Sequence, residues 1–309
     1  MNFNHPYCIV LPAILCLLLL SGCASLFPQN GNNVVLRDNS TSKPTVQEIA
    51  QGEIIKDLEN LHEFALLSAH IYEKSENPEI RCDENKSALT GWVLKEELRI
   101  PNFPQKPKWD KKIKGFEYAV WEKATNQPKP LVAIVFRGSD FETGDWFSNL
   151  RWVTRFIPFT WDQYDQTRDL IPALIERIHQ LRGTTVEIIT TGHSLGGGLA
   201  QQAAYMSEHI KKVYAYDAST VTGYYSVEHK LREQSKKGLN IYRIYEHGEI
   251  LAYLRLIMKG LYPIAHENPK IVEVRYNLTG GNFISQHNMK KFACRLKKIH
   301  DNKNNLQLQ

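Results

Sequence analysis

The stretch IITTGHSLGGGLA, residues 188–200, constrains this 309-residue chain more than any other. Four β-branched residues, Ile188 to Thr191, stop abruptly on Gly192, one serine follows, and three glycines and an alanine lie close behind. A buried strand that must turn sharply into a helix has this pattern, because the turn leaves no room for neighbouring side chains. Gly192-His193-Ser194-Leu195-Gly196 is therefore a G-x-S-x-G nucleophile elbow. The turn lifts the Ser194 hydroxyl above the sheet edge and aims a helix N-terminus at developing negative charge. Gly197 and Gly198 are expected to let that helix pack tightly against the sheet.

The rest of the chain supplies a matching frame. FEYAVW (residues 116–121) alternates as a half-buried strand, LVAIVF (131–136) reads as a fully buried one, and 123–130 as their hairpin connection. Further strands are expected at 186–191, 212–216, 240–245 and 271–276. Helical patterns cover 48–72, a segment starting at the Thr160/Gln163 capping box, and 195–208. Pro172 is expected to start a turn or kink the second helix, and Gly183 to end it. Strands alternating with helices imply an α/β fold with a mostly parallel sheet.

The first 22 residues stand apart. IVLPAILCLLLL is apolar and uncharged, too short to span a bilayer, and followed by Leu20-Ser21-Gly22-Cys23. This signal-peptide ending resembles the bacterial lipobox, although its n-region lacks Lys and Arg. The resemblance implies a lipidated Cys23 and, with Ala24 next, an outer-membrane lipoprotein facing the periplasm. Residues 23–45, rich in Asn, Ser, Pro and Gly, are expected to form a tether. The folded domain is placed at 46–299 and a polar tail at 300–309. Cys82 and Cys294 alone remain in the mature body; whether they pair is left open. The charge of +5 is mild, and its densest part, Lys290 to Lys298, is expected to be a solvated helix face rather than a nucleic-acid site. No cysteine or histidine spacing suggests a metal, and no cofactor is expected.

Four motifs in order, VAIVFRGSD at 132, DWFSNL at 145, GHSLGGGLA at 192 and QHNMKKF at 286, resemble the class 3 lipase family, in a divergent bacterial branch. The resemblance runs from about residue 48 to 296 and implies an α/β-hydrolase fold. It also implies a serine carboxylester hydrolase of acyl lipids, with Ser194 as nucleophile and His287 as base. Ser139 and Leu195 would supply the oxyanion-hole amides, and His193 would help shape the elbow. The acid is the departure: the family's Asp stretch is replaced by RIYEHGEILAYL. Alignment on Ile250-Leu251 favours Glu249, while Asp217 and Glu246 remain contenders. The segment 140–159, dense in aromatic residues, stands where the family carries a lid. A non-catalytic envelope lipoprotein on the same scaffold, or an amidase or acyltransferase, are the competing functions.

Overall fold

This computed structural model describes residues 34–38, 46–49, 60–73, 79–82, 85–89, 91–101, 103, 116–123, 129–138, 163–249, 251–252 and 269–307. The strands are β1 Val34–Asp38, β2 Val46–Ile49, β3 Glu79–Cys82, β4 Asn85–Ala88, β5 Trp92–Leu94 and β6 Tyr118–Lys123, followed by β7 Leu131–Phe136, β8 Glu187–His193, β9 Ile210–Tyr216, β10 Asn240–Glu246 and β11 Lys270–Tyr276. The helices are α1 Leu61–His70, α2 Gln163–Arg182, α3 Leu195–Tyr205, α4 His229–Ser235, α5 Phe283–Gln286 and α6 Met289–Gln307. Nine strands form one sheet in the order β2-β1-β11-β10-β9-β8-β7-β6-β5, and β3 pairs with β4 separately. From β7 to β11 the neighbours run parallel; both edges are antiparallel. This is an α/β-hydrolase fold.

Helices cover both faces. On one, α2 and α3 pack aliphatic side chains against Val132, Ile134, Phe136, Ile188, Val213 and Ile241. On the other, α1 and α6 cover an aromatic surface in which Phe64 stacks on Tyr214 at 4.2 Å and Tyr214 on Tyr242 at 5.1 Å. Both faces of β7 are thus dry, which is why LVAIVF is apolar without alternation. A disulfide joins Cys82 at the end of β3 to Cys294 in α6, with Cα atoms 5.3 Å apart.

Several boundaries differ from the sequence reading. Residues 34–38, expected in the tether, form β1, which lies antiparallel between β11 and β2. Residues 46–49 belong to β2, so the described helix begins at Leu61 rather than 48. Pro172 sits inside an unbroken α2; the proline costs one amide bond, which eight buried side chains of that helix outweigh. The polar tail continues α6 to Gln307. Among the described residues no helix is long and apolar enough to cross a membrane. Cys23, Ser139, Thr160 and the aromatic segment 140–159 lie outside the described residues.

Register sets the site. Phe136 lies opposite Gly192, His193 opposite Tyr216, Tyr216 opposite Ile244 and Glu246 opposite Tyr276. The carboxyl ends of five parallel strands therefore finish level, where open α/β sheets gather their functional groups.

Candidate active site

β8 ends at His193, and Ser194 takes φ 57°, ψ −124°, a conformation that costs a non-glycine residue about 1–3 kcal/mol. Three backbone bonds hold it there. Its amide donates to the Tyr216 carbonyl at 2.9 Å, and its carbonyl accepts from Ser219 at 3.0 Å and Gly197 at 3.1 Å. A Cβ at Gly192 would lie 2.5 Å from the Gly196 carbonyl carbon, and one at Gly196 would strike the Phe136 carbonyl. Gly197 packs against the sheet as expected, and both glycines also admit the segment that follows β9. A Cβ at Gly197 would lie 3.1 Å from the Gly192 carbonyl of β8 and 2.7 Å from Ala218 Cβ, and one at Gly198 would meet the Val221 carbonyl and the Tyr164 hydroxyl. Leu195 opens α3, and the first amides of a helix have no intrahelical acceptor.

His287 arrives from the far end of the chain. The Asn282 side chain caps α5 by accepting from the Ser285 amide, and His287 closes that helix with its amide donating to Ile284 at 3.1 Å. Its Nδ1 lies 2.7 Å from Glu249 Oε2, both side chains being buried. Glu249 Oε2 also accepts from the Leu251 amide at 2.8 Å. The His287 and His193 ring centroids are 4.6 Å apart, which sets the histidine–glutamate pair beside the elbow.

The two other acidic candidates take different posts. Glu246 ends β10, and its Oε1 accepts from the amides of Leu278 at 2.8 Å and Thr279 at 3.2 Å, anchoring the segment that leads to His287. Burial pushes its carboxyl up to about 7, against the opposing pull of those amides. Asp217 has φ 40°, and its Oδ1 accepts from the Glu246 amide at 2.7 Å. Single ligand atoms of His193, Asp217 and His287 lie within 4.8 Å of one another, so these three could hold a metal ion. Tetrahedral zinc brings ligand atoms to about 3.4 Å, so the trio would have to contract.

Tyr72, two residues past α1, was absent from the sequence reading. Its hydroxyl lies 3.0 Å from the Gly138 amide and 3.1 Å from His193 Nδ1. No motif marks it: a tyrosine near a helix end reads as core.

Residues 63–255 match the family described as "Phospholipase-like: Tle-like phospholipase domain". Among solved structures, lipase II from Rhizopus niveus is 13% identical, with the match covering 71% of this chain and 77% of that one at a TM-score of 0.35. No curated protein matches the chain.

Proposed function

Because the chain belongs to the Tle-like phospholipase domain family, a lipase-like family of lipid-ester hydrolases, we propose that it cleaves acyl esters of phospholipids through a covalent acyl-serine. The observation that carries this reading is the 2.7 Å bond between His287 and Glu249, buried beside the strained Ser194. A carboxylate at Nδ1 keeps the proton on that nitrogen and leaves Nε2 as the basic atom. His287 then takes the Ser194 proton as Oγ bonds to the acyl carbon. The tetrahedral oxyanion is met by the Leu195 amide and the amide of Ser139, each contributing on the order of 3 kcal/mol. Collapse expels the lysophospholipid alkoxide, which collects the proton from His287. Water, activated by the same base, releases the fatty acid and restores Ser194.

Cys23 is the proposed lipidation site, holding the enzyme on the outer membrane with its substrate. The Cys82–Cys294 bridge supports export, since disulfides persist in oxidising compartments. Cys23→Ser should move the protein from the membrane fraction to the soluble one; unchanged membrane association sinks the anchor.

The deciding experiment offers the full chain phosphatidylethanolamine vesicles, triolein emulsion, a p-nitrophenyl ester and the matching anilide. Lysophospholipid should appear fastest, and Ser194→Ala should abolish both product and fluorophosphonate labelling. Product formation undiminished in Ser194→Ala refutes the nucleophile, and faster anilide cleavage makes the enzyme an amidase.

A further inference from the structure

The Tyr72 hydroxyl stands between the Gly138 amide and His193 Nδ1, and the first of these bonds has a fixed direction. The Gly138 amide can only donate, so the phenol oxygen accepts at 3.0 Å. Its bond to His193 Nδ1, at 3.1 Å, takes its direction from the imidazole tautomer. The chain from Gly138 through Tyr72 to His193 joins the end of β7 to the residue immediately before Ser194.

Surrounding contacts keep the phenol in that position. The His193 ring meets the Tyr72 ring edge-on with centroids 5.8 Å apart, and the Arg137 guanidinium lies 5.5 Å from the Tyr72 centroid. Arg137 is held in turn by Glu117, through both its side chain and its amide. Gly138 admits this approach because it has no side chain. A Cβ there would lie 2.5 Å from the Tyr72 oxygen, 2.5 Å from the His193 carbonyl and 3.2 Å from Ser194 Cβ.

The Gly138 amide is thus engaged with Tyr72 and is not the donor that meets an oxyanion. What the bond fixes is the spacing between the β7 end and the elbow that carries Ser194. We infer that Tyr72 is a positioning residue that holds the β7 end against the nucleophile elbow, acting through Gly138 and His193 without touching substrate. This inference rests on the reading of Ser194 as nucleophile. Displacements near 1 Å in such a constellation cost about 100-fold in rate.

Tyr72→Phe keeps the ring and removes only the bridge. It should lower kcat about 10- to 100-fold with KM within about twofold, because the lost interaction matters where charge develops. Affinity for a trifluoromethyl ketone, which forms the oxyanion, should fall by the same factor as kcat/KM. Fluorophosphonate labelling of Ser194 should slow in parallel. A purely structural tyrosine would instead shift Tm and leave the ketone affinity unchanged. Tyr72→Gln, whose shorter amide does not reach both groups, is measured alongside, so a folding defect in one variant leaves the other to decide. Wild-type kcat and ketone affinity in the folded variant overturn the inference. Failure of the wild-type protein to label at all overturns the nucleophile reading instead.

Discussion

The serine half and the histidine–acid half of the site are built in opposite ways. The elbow is local: one strand, one residue at φ 57° and one helix, consecutive between residues 187 and 205. The other half is gathered from distant pieces. Glu249 follows β10, His287 closes α5 after β11, and Glu246 ties the two segments together through the Leu278 and Thr279 amides. A local site depends on small residues, whereas an assembled one depends on buried polar groups that hold separate segments in register.

The sharpest way to break this comparison is at the acid. Glu249→Gln should reduce kcat by roughly 10⁴, as loss of a triad carboxylate does, with little change in KM. Asp217→Asn should act chiefly on stability, since its carboxylate accepts from the Glu246 amide. If Asp217→Asn instead removes activity while Glu249→Gln spares it, the acid belongs to β9, one strand nearer the elbow.

A smaller effect sharpens the comparison through pH. Glu246 is raised from 4.5 to about 7, so between those values the folded protein keeps a proton that the unfolded chain releases. The native state then binds more protons than the unfolded one, and stability falls as pH rises through the window. The full displacement corresponds to about 3 kcal/mol. Glu246→Gln, which retains an acceptor oxygen, should flatten the decline in chemical-denaturation stability between pH 5 and pH 7.5. An unchanged slope would mean that Glu246 does not govern it.

The same contrast explains what could be read from the sequence. The elbow was legible from thirteen residues because its pattern is contiguous, although Gly196 makes room for the Phe136 carbonyl of distant β7. The acid was ranked but not decided, because Glu246 and Glu249 are only three residues apart. Folding separates them through Gly248, at φ 79°, where a Cβ would lie 2.9 Å from the Gln286 amide oxygen. That turn carries Glu249 toward His287 and leaves Glu246 at the strand end. β1 escaped because its pairing is remote, with Val35 opposite Arg275, and nothing in its polar sequence neighbourhood announces a strand. Tyr72 escaped for the same reason, since its partners Gly138 and His193 lie 66 and 121 residues away.

The Cys82–Cys294 bond spans 212 positions and turns most of the domain into a covalent ring containing Ser194, Glu249 and His287. By chain entropy a closure of that size contributes on the order of 5 kcal/mol. It also changes what a protease can accomplish. One cut anywhere within the ring opens a loop and releases no piece, so a nicked molecule keeps its nucleophile and its base on one covalent object. Only a second cut, or a reductant, can separate the fragments.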